Sequence, residues 1–258
     1  MEWVVPFLFG LIYGSFLNVV VLRFDDWLSI LTTRSRCPDC QTQLRWYDLI
    51  PVISYATLRG RCRYCEKPIS GQYPLVEIVT GILLVAGYGL VFHHSLEQVS
   101  AVTAYAFYVL AVGAMVIIFC HDLYEMMVPD SVSYFLLLSA FAFGWLFTGN
   151  LIATLLGGLT GILPIALLVY PSQGKWMGEG DIKLAAGLGM LVGYPSAIVF
   201  LFGAFLSGGA YGLLAVLFKK AGLKSAVPFA PFLILGALIA LFYGPSLIHW
   251  YIGMIYGY

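Results

Sequence analysis

The hydrophobic positions of this chain fall in long runs rather than in alternation. A helix needs about 20 mostly apolar residues to cross a bilayer. Reading for such runs marks eight segments: Trp3–Leu22, Pro74–Phe92, Gln98–Cys120, Ser131–Thr148, Leu151–Pro171, Ile182–Tyr194, Ser196–Phe218 and Pro228–Trp250. The sixth has only 13 residues, between Asp181 and Pro195, and reads as a tilted or partial span or as one that continues into the seventh. The first run is longer than a signal-peptide core and lacks both a basic leader and a small-residue cleavage pattern, so it is expected to be a true span. The predicted fold class is an all-α polytopic membrane protein of about eight transmembrane helices. The expected organisation is a first span over 1–22, a polar loop over 23–73 and a membrane domain over 74–258.

Composition agrees with this reading. Hydrophobic residues make up 61% of the 258 and charged residues only 10%, against roughly 25% charged in soluble domains. Disorder is excluded by the same figures. Thirteen basic and thirteen acidic side chains cancel, which leaves no global field to attract nucleic acid. The placement of the charges says more than their sum. Arg23, Arg34, Arg36, Arg45, Arg59, Arg61, Arg63 and Lys67 follow the first run, Lys175 and Lys183 flank the sixth, and Lys219, Lys220 and Lys224 follow the seventh. With eight spans all of these share one side. The positive-inside rule then puts them in the cytoplasm and both termini outside.

The loop carries Cys37-Pro-Asp-Cys40 and Cys62-Arg-Tyr-Cys65. Two C-x-x-C knuckles at this separation read as a closed tetrahedral zinc site with four cysteine ligands, structural rather than catalytic because no coordination position stays open. A pair of disulfides or four unpaired thiols is the alternative, and a reducing cytoplasm argues against the disulfides. Arg36, Arg61 and Arg63 beside the sulfurs are expected to favour thiolates. Cys120 reads as a small buried apolar residue.

Acidic groups at span ends are functional candidates. Asp122, Asp130 and Asp181 come out on one side at similar depth. Two facing carboxylates can share a proton, one activating water and the other polarising a carbonyl, which is peptide hydrolysis without a covalent intermediate. Gly178 and Gly180, in Gly178-Glu179-Gly180-Asp181, would let a substrate backbone approach closely. Asp130, after Pro129 and before an apolar run, reads as a helix N-cap, and Asp181 is open to the same reading. Asp122 sits at a helix C-terminus, where the macrodipole opposes it. On that basis Asp181 is the expected anion and Asp122 the protonated partner.

These residues resemble a known family, the type IV prepilin peptidases. The similarity is carried by Gly14-Ser15-Phe16-Leu17-Asn18-Val19-Val20 with Arg23, by the two cysteine pairs, by Tyr73-Pro74-Leu75-Val76-Glu77 and by Asp122-Leu123 with Pro129-Asp130. It continues in Met177-Gly178-Glu179-Gly180-Asp181-Ile182-Lys183-Leu184, which resembles a G-x-G-D motif, and in Val227-Pro228-Phe229-Ala230-Pro231-Phe232-Leu233. The resemblance implies catalytic Asp122 and Asp181, with Asp130 and Lys183 in support. It implies cleavage of the basic leader of prepilins or pseudopilins at the cytoplasmic face of a bacterial inner membrane, in type IV pilus or type II secretion systems. It further implies N-methylation of the new terminus with S-adenosylmethionine, assigned to the loop region. No glycine-rich nucleotide motif lies in residues 23–73, so the methyl donor rests on the resemblance alone. Glu77 is the candidate for holding a substrate amine, its alternative being a helix N-terminal acid near headgroups. Ala230 replaces a commoner glycine, and His121 a commoner small or apolar residue; His121 either shifts the ionisation of the dyad or faces headgroups, and the second is expected. Competing classes are a transporter or channel, disfavoured because the spans carry almost no charge away from their ends, a peptidase without methyltransferase activity, and a non-catalytic assembly factor.

Overall fold

The computed structural model describes residues 2–93, 98–218 and 227–256. Lys219, Lys220 and Lys224, part of the expected basic side, lie outside them, as do 94–97 of an expected outer loop. The chain divides into two compact units, Met1–Leu90 and Val91–Tyr258.

The first unit joins helix α1 (Val4–Leu22) and most of helix α4 (Gln72–Phe92) with the intervening loop, which holds two short helices, α2 (Trp27–Thr32) and α3 (Ile53–Thr57). The two long helices meet through small residues. A Cβ on Gly14 would stand 2.8 Å from the Glu77 Cα, and one on Gly10 2.6 Å from the Gly81 Cα. Such close backbones are how membrane helices gain packing where lipid gives no hydrophobic drive. Asn18, buried in α1, donates to the Tyr73 carbonyl at 3.2 Å. The loop is then turned by its own polar groups. Asp26 caps α2 by accepting from the Ser29 N–H at 3.2 Å. The Arg23 guanidinium caps the other end, donating to the Ser29 carbonyl at 2.7 Å and to the Thr33 hydroxyl at 2.6 Å.

The second unit is a helical bundle: α5 (Gln98–Glu125), α6 (Asp130–Thr148), α7 (Leu151–Ser172), α8 (Glu179–Val192), α9 (Ser196–Leu217) and α10 (Ala230–Tyr256). The α6–α7 turn is made by Gly149, left-handed at φ 64°, and Asn150, whose side chain accepts from the Ala153 N–H at 3.1 Å. The eight apolar runs all appear as helix, but only seven helices among the described residues are long and apolar enough to cross a membrane. The exception is the sixth run, α8, a helix of 14 residues.

Glycines set the register of α8 in the bundle. Cβ atoms on Gly157 and Gly161 would strike the carbonyls of Gly189 and Ala185, and the Tyr194 N–H donates to the Ala153 carbonyl at 2.9 Å. Helices α7 and α8 therefore run antiparallel, with residue numbers summing to a constant. That register sets Asp181 level with Ile165, while α7 continues seven residues further to Ser172, about 10 Å at 1.5 Å per residue. The far end of α8, Val192, comes level with Thr154, three residues inside α7, so the larger part of the shortfall of this helix is at the Asp181 end.

Replacing Gly157 by valine should lower stability by about 1–3 kcal/mol or more, because the side chain meets backbone rather than a movable side chain. The same change at Gly212, whose Cβ would meet nothing within 4 Å, should be silent. Thermal unfolding in detergent compares the two.

Candidate active site and metal centre

Asp122 lies inside α5, three residues before its end at Glu125, because that helix runs five residues past the predicted boundary at Cys120. It is 4% exposed. Its Oδ2 accepts from the Ala230 N–H at 3.0 Å. Ala230 is the first residue of α10, and the first N–H groups of a helix have no partner within it. Asp122 thus sits at the end of one helix and the start of another. The dipole argument that singled it out as unfavourably placed does not hold in the fold, and with it goes the expected asymmetry between Asp122 and Asp181. Pro228 and Pro231 around Ala230 were a legible sign of a helix start; its pairing with a residue 108 positions away was not.

Asp181 is the third residue of α8 and 7% exposed. Its Oδ2 accepts from the Gly178 N–H at 3.2 Å, so it does cap its helix. It is also close enough to Asp122 for the charge of one to act on the other. The two are the only buried carboxylates among the described residues of this unit. Gly180 admits the α5–α6 connection: its Cβ would lie 2.8 Å from the Val128 Cβ.

Asp130 departs from its predicted role. It is the first helical residue of α6, Pro129 holds the N-cap position, and no side chain caps there. The Asp130 carboxylate instead accepts from Lys183 Nζ at 2.6 Å, and the ammonium lies 5.2 Å from the centre of the Tyr134 ring. The pair joins α6 to α8 just outside the buried carboxylates, with Asp130 63% exposed. His121 also departs from expectation. It is buried, and its Nδ1 lies 3.7 Å from a Glu125 oxygen. Cys120 is buried as expected.

In the first unit the four cysteines converge. One Sγ from each of Cys37, Cys40, Cys62 and Cys65 lies within 4.8 Å of all the others, an arrangement that could hold a metal ion. No disulfide joins them; the Cys37 and Cys65 sulfurs are 3.9 Å apart, far beyond a bond of about 2.05 Å. The two knuckles repeat each other at a shift of 25 residues. Arg36 bridges Gln43 as Arg61 bridges Pro68. The Leu44 N–H reaches Ser35 O as Ile69 N–H reaches Gly60 O, and Gln41 and Glu66 both turn at positive φ. Hydrogen bonds from Thr42 lower the Cys40 thiol to about 6. Arg63, one of the arginines beside the sulfurs, is engaged by Asp48 at 2.7 Å.

Glu77 is buried. It is 6% exposed, and its Oε2 accepts from the Val52 N–H at 2.7 Å, with the Ser15 hydroxyl also bonded to it. It lies on the wall of a cavity of about 630 Å³ that also reaches Ser15, Arg23, Cys37, Asp48 and Tyr55. Ser15 and Val52 as partners of Glu77 were missed in the sequence.

Comparison with known proteins accounts for both units. A model of the bacterial peptidase A24 N-terminal domain matches residues 8–91, and a model of the type IV leader peptidase family matches residues 109–213. The prepilin leader peptidase/N-methyltransferase of Bacillus subtilis (strain 168) is 34% identical over 258 residues, covering 97% of this chain and 98% of the relative. The chain belongs to the type IV leader peptidase family. Other relatives of the same name include the protein of Aeromonas hydrophila, 31% identical with 95% and 92% covered, and that of Legionella pneumophila, 30% identical with 95% and 93% covered. No solved structure gives a significant match. The family's two matched regions fall one in each structural unit, which places the cysteine cluster in the N-terminal part and the buried aspartates in the peptidase part.

The Cys62→Ser variant should lose bound metal, read by elemental analysis of purified protein, and its loop should be cut faster by trypsin between Arg59 and Arg63. Cys120→Ser should change neither.

Proposed function

We propose that this chain cleaves the leader from prepilins or pseudopilins at the cytoplasmic face of a bacterial inner membrane, and then methylates the new N-terminus. The single observation that carries the cleavage reading is that Asp122 of α5 and Asp181 of α8 are both buried and near enough for the charge of one to act on the other. Like charges in such proximity disfavour double ionisation, so the pair holds one proton between them. The ionised carboxylate takes a proton from water as the water attacks the scissile carbonyl. The protonated one donates to the carbonyl oxygen, and the proton then passes to the leaving amine. Each aspartate has a backbone N–H at one oxygen, so either can carry the charge. Asp130 and Lys183 position α6 against α8 and take no part in proton transfer. With a basic loop on the cytoplasmic side and both termini outside, the site meets a substrate whose basic leader stays in the cytoplasm and whose following apolar helix lies in the membrane.

The cysteine cluster suits structural zinc. Tetrahedral zinc with bonds of about 2.3 Å spaces its sulfurs by about 3.8 Å, close to the 3.9 Å between Cys37 and Cys65. The ion would hold a loop that has little core of its own. Residues 23–73 with α1 and the start of α4 form the methyltransferase region. The cavity of about 630 Å³ is of a size for a small-molecule methyl donor such as S-adenosylmethionine, and its buried Glu77 is placed to hold the substrate amine. Glu77 would hold the amine and accept the proton it releases, and the bound donor would supply the methyl group.

Asp122→Asn and Asp181→Asn should each lower cleavage of purified prepilin by about 10²–10⁴-fold, while Asp130→Asn should keep most activity. Cleavage surviving in Asp181→Asn but lost in Asp130→Asn would falsify the dyad. Glu77→Gln should reduce transfer of a labelled methyl group to cleaved pilin about tenfold or more and leave cleavage intact. Equal methylation by both proteins removes Glu77 from the reaction.

A further inference from the structure

We propose that the segment Leu49-Ile50-Pro51-Val52-Ile53 is a re-entrant tip that dips into the cytoplasmic leaflet of the bilayer, anchoring the cysteine-bearing loop to the membrane surface. The argument starts from depth. Helix α4 has 21 residues and so spans about 31 Å, which a hydrocarbon core of about 30 Å uses almost entirely. Glu77 is five residues into that helix, about 7 Å below its start. The Val52 N–H is bonded to Glu77 at 2.7 Å. Val52 has therefore come down to the level of Glu77, although its neighbours in sequence belong to the polar loop.

Backbone stays at that depth by finding partners for its polar groups, and several are found here. Val52 donates to Glu77, Ile53 to the Pro51 carbonyl, Ser54 to the Ile50 carbonyl, and Pro51 has no N–H to place. The turn that achieves this puts Val52 at φ 61°, a position β-branched residues avoid. The strain is offset by the three hydrogen bonds the turn makes possible. Side chains complete the case. All five residues of the tip are apolar, yet Leu49 is 41% and Ile53 60% exposed, and Trp46 just before them is 77% exposed. Apolar groups bare at membrane depth, preceded by a tryptophan, have the makeup of an interfacial anchor. The covering partner is lipid, because the segment's depth is fixed by its bond to a membrane-spanning helix. This inference stands apart from the proposed activities and would survive their failure.

The test uses the full chain in proteoliposomes of phosphatidylethanolamine and phosphatidylglycerol. A photoreactive benzoylphenylalanine replaces Leu49, Ile53 or, as a control, Gln41 at the exposed turn of the first knuckle. Only variants that elute as folded protein in detergent are carried forward, and two tip positions guard against one failing. On illumination both tip variants should form adducts with lipid, at least tenfold above the Gln41 control. Adducts to protein chains alone, or lipid labelling no greater than at the control, overturn the proposal.

Discussion

A carboxylate removed from water costs several kcal/mol unless other groups replace the hydrogen bonds it gave up. Inside a helical membrane protein few such groups are free, because the helices consume their own N–H donors. The exceptions are helix starts and irregular turns. Glu77, Asp122 and Asp181 are the buried carboxylates among the described residues, and each is met by a main-chain N–H of this kind: Val52 in a strained turn, Ala230 at the head of α10, Gly178 at the head of α8. No lysine or arginine among the described residues is bonded to any of the three. The residues that deliver these donors are thus as much part of the architecture as the acids themselves. A backbone donor also leaves the acid's ionisation adjustable, whereas a buried cation would lock it as an anion.

The elements are legible in the sequence because lipid imposes a simple rule, a long apolar run, and every predicted run appears as helix. The cysteine site is legible for a similar reason: C-x-x-C spacing is local geometry, and the knuckles form within ten residues of chain. Pairings across the fold are not. Asp122 stands out by its misfit at a helix end, and the relief supplied by Ala230 comes from a helix 108 residues away. The cap expected of Asp130 fails because local sequence cannot show Lys183 reaching over from α8. The headgroup position expected of His121 fails because α5 continues to Glu125, past the predicted end at Cys120. Each miss involves a polar side chain whose surroundings are set beyond the local run.

The brevity of α8 has a consequence for permeability. Hydrolysis consumes water, and an enzyme set in a membrane has to bring that water to a bond without opening a path across. With Asp181 held about 10 Å short of the end of α7, water bound for the proposed dyad would have only about a third of a hydrocarbon core of about 30 Å to enter from that end. Beyond it, α8 still extends about 17 Å among close-packed glycines and apolar side chains that leave Leu184, Leu188 and Leu191 almost wholly buried. On the proposed function, the short helix would divide the thickness of the membrane between a wet portion and a sealed one, so that hydrolysis opens no leak.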